Sequence, residues 1–349
     1  MKAAVLVAPR TIEIQEHPMP EPGPGEVRLK LAAVGVCGSD VHYYEEGRIG
    51  TAVVQYPTLL GHEPSGVVDS VGQGVKLQPG TRVAVEPAAP CGRCEHCLAG
   101  RRNICPDVRF LGTPPIPGIY AQYHVLPEHC CIPIPDNMSL TEAALMEPLG
   151  VGLHAVQLAR LALGETIAIF GSGPIGLCTL LAARLTGVTR ILMTDLVPER
   201  LDLAKRLGAD AVLNADEGDA VEWIRSETGG RGVDVTFEAA GVQETVTHAC
   251  LAARPGGRAM LIGIPSEDEL TMPMHECRRG ELLIQHVRRS NGEVAPCLPL
   301  VASGRIDVKA LATHFFPLER TTDAFDLVHN YADGVVRAVI RPNEDLAGR

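Results

Sequence analysis

Residues 166–177, Thr166-Ile167-Ala168-Ile169-Phe170-Gly171-Ser172-Gly173-Pro174-Ile175-Gly176-Leu177, decide the fold. An uncharged run of strand character enters a G-x-G-x-x-G turn and continues into a helix-like segment opened by proline, which a first helical turn tolerates. Strand, glycine turn and helix together form the setting in which that pattern binds a dinucleotide. Gly171 permits the tight turn, Gly173 lets backbone approach a pyrophosphate, and Gly176 lets helix pack on strand, while Pro174 and Ile175 open the helix whose N-terminus faces the anion. Hydropathy alone could make residues 166–183 a membrane span, but the glycine turn and Pro174 divide them into two elements. Residues 190–195 read as the next strand and end in Asp195. There an acid would accept hydrogen bonds from the adenosine ribose and repel a 2′-phosphate, which favours NAD over NADP. The alternative for Asp195 is a helix cap for the segment beginning at Pro198.

Outward from this turn, strand and helix signals alternate at 166–170, 174–185, 190–195, 198–207, 211–213, 233–238 and 257–262. Such alternation implies an α/β fold with a parallel, doubly wound sheet. Segment 198–208 has proline near its start, cations near its end and a glycine stop, as a helix should. Gly241 and Gly263 follow later strands, either beside the dinucleotide or as ordinary turn glycines; Arg200 and Arg288 are further expected cofactor contacts. Before about Gly150 the chain is rich in Pro, Gly and short β-like runs such as 67–71 and 82–85, the texture of an irregular β-rich domain. After about Arg288 the alternation weakens, and 335–340 reads as a closing strand. The expected organisation is therefore 1–149, then 150–288, then a return of 289–349 to the first domain.

The β-rich part carries two metal-ligand patterns. Cys37, His62 and Glu63 offer a thiolate, an imidazole and a carboxylate, a set that leaves zinc a position for water or substrate. Ser39 and His42 lie close enough in sequence to carry a proton away from that position. Cys91, Cys94, Cys97 and Cys105 are spaced C-x2-C-x2-C-x7-C, so one loop can wrap a tetrahedral zinc and leave no place for substrate. Disulfide pairing is the alternative; the eleven cysteines are an odd total, and no secretory signal is read ahead of them. His96 is surplus to four sulfurs and reads as a loop histidine.

A chain of 349 residues is comfortable for two domains, and 46% hydrophobic residues with 36 glycines and 27 prolines suit many short elements rather than disorder. A net charge of −11 argues against a nucleic-acid partner, and Arg101-Arg102 is too small a patch to reverse that. The start, Met1 to Val7, reads as a first strand rather than a signal peptide because Pro9-Arg10 interrupts it. Cytoplasm, with no membrane partner, is the resulting expectation.

These motifs together resemble the zinc-dependent medium-chain dehydrogenases, in particular the sorbitol and polyol branch. The resemblance rests on residues 37–43, 47–50, 61–63, the four-cysteine lobe, 147–152, and the glycine turn with Asp195. It implies a GroES-like catalytic domain formed by both chain ends, a Rossmann domain between them, and a homotetramer. It implies catalytic zinc on Cys37, His62 and Glu63, a structural zinc on the four cysteines, and Glu147 either ligating the metal or holding its water. Asp40 would be a carboxylate behind the ligands or a helix cap. Tyr43, Phe110, Thr113 and Arg288 match positions lining the substrate cleft, with packing or surface roles as alternatives. Arg289 stands where relatives carry an aromatic, which leaves the choice of polyol open. The implied reaction is reversible oxidation of a polyol to a ketose with hydride transfer to NAD, Ser39 and His42 relaying the proton. L-threonine 3-dehydrogenase or another secondary-alcohol dehydrogenase is the alternative, and a non-catalytic zinc- and NAD-binding protein the more distant one.

Overall fold

The computed structural model describes residues 1–346; residues 347–349, the end of the expected 289–349 return, lie outside them. The chain divides into two compact units, Met1–Glu147 with Asn291–Arg349, and Pro148–Ser290.

The second unit is built on six strands in the order Ala211–Asn214, Arg190–Asp195, Thr166–Phe170, Val233–Glu238, Ala253–Leu261, Leu283–His286. Every pairing is parallel. Parallel strands need crossovers, and helices Pro174–Ala183, Pro198–Arg206, Ala220–Glu227, Gln243–Ala252 and Met274–Arg279 supply them. With both faces covered, Ile167 to Phe170 are essentially inaccessible and Val233–Glu238 is buried throughout, which explains why these strands read as continuous apolar runs. Numbered along the chain, the strands run 3-2-1-4-5-6, the Rossmann order. It reverses between Thr166–Phe170 and Val233–Glu238, beside the glycine turn.

One strand is longer than its sequence suggests. Residues 257–262 carry the strand signal, yet the element spans Ala253–Leu261 because Val233 pairs with Ala253 and Val235 already with Arg258. The intervening Pro255-Gly256-Gly257 is absorbed as an irregularity inside the strand.

The first unit is a GroES-like β structure. Its seven-stranded sheet runs Cys131–Pro133, Arg82–Val85, Glu63–Val71, Glu26–Gly35, Arg337–Arg341, Ala312–Pro317, with Tyr123–Pro127 also paired to Glu26–Gly35. Residues 26–31 alternate, Val27, Leu29 and Leu31 facing the core while Arg28 and Lys30 face outward; Ala32 to Gly35 are then buried on both faces. Arg337–Arg341 joins antiparallel, Ile340 opposite Val34 and Val339 opposite Gly35. The end of the chain thereby meets the strand that leads into Cys37. Among the described residues, no helix is long and apolar enough to cross a membrane.

Candidate active site

Cys37 follows the strand Glu26–Gly35 and caps the helix Gly38–Glu46, its amide donating to Asp40 Oδ2 at 3.2 Å. Glu63 opens the neighbouring strand directly opposite Gly35. Only glycine fits there, since a Cβ on residue 35 would stand 2.0 Å from Glu63 Oε2. Two adjacent strand ends thus bring Cys37, His62 and Glu63 together, with one ligand atom of each within 4.8 Å of the others.

Asp40 closes the first turn of the helix and also reaches His62. It is fully buried; Oδ2 accepts from the Cys37 amide and the Tyr120 hydroxyl (3.1 Å), while Oδ1 accepts from the Gly61 amide (3.0 Å) and stands 3.3 Å from His62 Nδ1. Burial pushes its carboxyl up, but the charge and hydrogen bond of His62 and the two amides outweigh it, holding Asp40 below the usual carboxylate range. Reciprocally, burial pulls His62 down and Asp40 more than reverses this, so the imidazole lies well above its ordinary value. With Nδ1 turned to a carboxylate, Nε2 is the nitrogen left to ligate a metal.

Glu63 is wholly inaccessible, and Arg337, 1% exposed, sets Nη1 3.1 Å from its Oε1 while donating to Val36 O at 2.7 Å. Neither Glu63 oxygen accepts a hydrogen bond. Burial pushes its carboxyl up, against the pull of Arg337 and His62. Desolvated carboxylate oxygens that face a single guanidinium and otherwise lie beside a thiol and an imidazole fit a divalent zinc.

Glu147, in the first turn of the helix Met146–Ala159, is buried, and burial, helped by Glu63 and Glu86 and opposed by His62 and Arg337, pushes its carboxyl to about 8. It is not part of the three-residue group whose ligand atoms converge. Ser39 and His42 lie one turn apart on the helix Gly38–Glu46, both partly exposed, and His42 Nδ1 stands 3.6 Å from Glu46 Oε1. Phe110 lies 5.4 Å from the His62 ring, centroid to centroid, and Tyr43 packs into the core of this unit. Thr113 is half-buried three residues after Phe110, to whose carbonyl its amide donates. Arg288 belongs to the other unit, exposed just past Leu283–His286.

Cys91, Cys94, Cys97 and Cys105 form the second converging group. Sulfur accepts from backbone: Cys94 N to Cys91 Sγ at 3.4 Å, Cys97 N to Cys94 Sγ at 3.5 Å, Cys91 N to Cys105 Sγ at 3.5 Å. The amides of Arg93 and Cys94 draw the Cys91 thiol down to about 6, whereas burial and the neighbouring sulfurs push Cys97 up to about 12. The neighbouring thiols favour ionisation of Cys91 and oppose that of Cys97, an uneven sharing of charge that a common cation relieves. All eleven cysteines are free thiols, and His96 stays outside the sulfur group with Nε2 3.7 Å from Glu95.

In the second unit Gly173 caps the helix Pro174–Ala183, with Pro174 in its first turn and Ile175 after it, and a Cβ on Gly176 would lie 1.8 Å from Gly171 O. Asp195 Oδ2 accepts from Ser172 N at 2.5 Å and Oδ1 from Val197 N at 2.9 Å. The carboxylate therefore braces the glycine turn, and the helix Pro198–Arg206 begins at Val197 without a side-chain cap. Arg200 is buried near Gly173, and Gly263 lies against Gly241.

Arg337 and Tyr120 escape sequence reading. For Arg337 one signal exists: a cation inside the apolar run 335–340 must find a buried partner. For Tyr120 there is none.

Residues 23–136 match the alcohol dehydrogenase GroES-like domain and 174–303 the zinc-binding dehydrogenase domain. A sorbitol dehydrogenase of Bacillus subtilis is 42% identical over 344 residues, 98% of either chain. The chain belongs to the zinc-binding alcohol dehydrogenases. This dehydrogenase is also 41% identical to an L-idonate 5-dehydrogenase of Vitis vinifera, over 90% of its own length and 87% of the relative's. In structure it is similar to a zinc-binding dehydrogenase of Sinorhizobium meliloti 1021 bound to NADP, with TM-score 0.90 and 32% identity over 98% of this chain and 99% of that one.

Proposed function

We propose that this dehydrogenase reversibly oxidises a secondary hydroxyl of a polyol to a ketose, with zinc and NAD as cofactors. The observation that carries the proposal is the converging Cys37, His62 and Glu63 set backed by Asp40 and Arg337, in a chain alike over nearly its whole length to sorbitol dehydrogenase. Zinc on these three residues supplies Lewis-acid stabilisation of the substrate oxygen as that oxygen loses its proton. The nicotinamide, when bound, supplies the hydride acceptor. Ser39 Oγ accepts the substrate proton and His42 hands it to solvent, with Glu46 beside the imidazole. Glu147, buried in the first turn of its helix, either ligates the metal or holds its water. The resemblance to the polyol branch supports Tyr43, Phe110, Thr113 and Arg288 as the residues proposed for substrate. A second, structural zinc sits on the four cysteines. The resemblance to the polyol branch supports a homotetramer acting in the cytoplasm.

Ser39→Ala is expected to leave zinc content unchanged and lower kcat by roughly 10²-fold or more, the range of positioned proton transfer. Unchanged turnover would remove Ser39 from the relay. Asp195→Asn keeps an acceptor for Ser172 N but removes the charge facing a 2′-phosphate. The ratio of kcat/KM for NADP over NAD should rise about tenfold, the effect of roughly 1.4 kcal/mol.

The function itself is tested by initial NADH formation against sorbitol, xylitol, galactitol, arabinitol, threonine and 2-butanol, with a chelator control. Chelator-sensitive preference for one polyol supports the proposal. Activity confined to threonine or 2-butanol would replace it.

A further inference from the structure

The crevice of a parallel, doubly wound sheet opens beyond the carboxyl ends of the strands where their order reverses. In the second unit those strands are Thr166–Phe170 and Val233–Glu238, with Phe170 and Glu238 opposite one another in register. The glycine turn leaves the first strand as one wall of the crevice, and residues 239–241 leave the second strand as the other. Glu238 is 1% exposed, and its Oε1 accepts from Ala240 N at 2.8 Å, Gly241 N at 2.7 Å and Thr245 Oγ1 at 2.8 Å. Its backbone carbonyl accepts from Ile262 N at 2.8 Å and Gly263 N at 3.1 Å. One residue thereby ties together the exit of its own strand, the first turn of the helix Gln243–Ala252 and the exit of the strand Ala253–Leu261. The two walls also touch: Ala239 N donates to Phe170 O at 2.8 Å, and a Cβ on Gly171 would stand 3.1 Å from Ala240 N. A carboxylate is costly to bury unless donors replace its water, so Oε1 holds its three donors in a fixed place.

We propose that Glu238 is a positioning residue for the dinucleotide, fixing residues 239–241 as a preformed wall of the crevice opposite the glycine turn. Without the carboxylate, the amides of Ala240 and Gly241 lose their acceptor and the wall beside Gly171 loosens. Nucleotide affinity then falls, because the wall must be ordered at the moment of binding. Thr245 contributes from the helix side by holding the carboxylate. Both converging groups of metal-ligand residues belong to the other unit and keep their ions. The inference rests on the reading that this unit binds NAD.

The test compares the zinc-loaded, full-length wild type with Glu238→Ala, Glu238→Gln, Thr245→Val and the control Asp234→Ala. Asp234 stands at the opposite end of the same strand, where it accepts from Thr166 N at 2.9 Å and Arg254 Nε at 2.7 Å, so its loss weakens the unit away from the crevice. NADH and NADPH are titrated by fluorescence, beside zinc content, melting temperature, and KM and kcat for the nucleotide with the best polyol. For the nucleotide that the wild type binds more tightly, Glu238→Ala should raise Kd about tenfold, the scale of one hydrogen bond to a charged group, with zinc content unchanged. Its KM should rise in step while kcat changes by less than about twofold. Glu238→Gln keeps a carbonyl oxygen for the three donors and should bring Kd back to within about threefold of wild type. Thr245→Val removes one donor and should raise Kd about threefold, which also carries the test should the alanine variant fail to fold. Unchanged Kd in Glu238→Ala or Thr245→Val, a Glu238→Gln as weak as Glu238→Ala, or an equal rise from Asp234→Ala would overturn the positioning role. A wild type that binds neither NADH nor NADPH would overturn the dinucleotide reading itself.

Discussion

Cys37→Ser lowers turnover by roughly 10³-fold or more and removes one zinc per chain while leaving the fold intact. The magnitude follows from the several kcal/mol that Lewis-acid stabilisation contributes to charge developing on the substrate oxygen, at 1.36 kcal/mol per decade of rate. The fold should survive because Cys37 is only partly buried, its amide keeps the bond to Asp40 Oδ2, and a serine hydroxyl can take the sulfur's place as acceptor in the capping box. Metal analysis beside steady-state rates and circular dichroism checks all three statements. A variant that retains both metals and near-normal turnover would take Cys37 out of the site. His62→Ala is the harsher change, since it also strands the buried Asp40 without its imidazole partner.

Arg337→Leu is expected to destabilise the metal-depleted protein by about 3–5 kcal/mol, because it leaves the Glu63 carboxylate buried with no opposing guanidinium. At roughly 2–4 °C per kcal/mol for a unit of this size, melting should fall by about 10 °C. Adding Glu63→Gln removes the stranded charge, so the double variant should regain much of the stability and none of the activity. The zinc-loaded single variant should lose less than the depleted one, because a bound cation compensates the carboxylate. Thermal melts of the wild type, the single variant and the double variant, with and without chelator, measure this. Equal losses in the loaded and depleted states would contradict a metal-facing Glu63.

Local chemistry made much of this molecule readable from sequence. The glycine turn, the Asp195 strand and the four-cysteine spacing each lie within a short segment whose residue types determine the geometry, whereas Cys37, His62 and Glu63 are weak evidence alone and read as a set only in the company of those motifs; the structure brings their ligand atoms within 4.8 Å of one another. What could not be read arises from contacts between distant segments. Gly35 looks like any strand glycine until Glu63 is placed across from it. Tyr120 donates to Asp40 from 80 positions away. Asn291 is an ordinary polar residue until the spacer 100–103 folds against it. Pro255-Gly256-Gly257 keeps its turn character inside the strand, with Gly256 left-handed (φ 69°) and the pairing jumping from Ala253 to Arg258 across it, so the strand's start before the turn is what sequence misses. The helices Ala220–Glu227 and Gln243–Ala252 are short, polar on one side and easily passed over, yet the parallel sheet requires crossovers at those places.

The pairing of Glu63 with Arg337 has a consequence for the order of events during synthesis. About 270 residues separate the two, so at 5–20 residues per second the carboxylate waits roughly 15–50 seconds for its counter-charge to leave the ribosome. The four thiols, gathered within residues 91–105, are all available long before. If the four thiols hold zinc as proposed, the lobe can take its metal early in the growing chain, while the catalytic pocket is completed only when the last strand docks. Delivery of the two metals would then be separated in time, and a chain cut short before residue 337 would carry a finished lobe beside an unfinished catalytic centre.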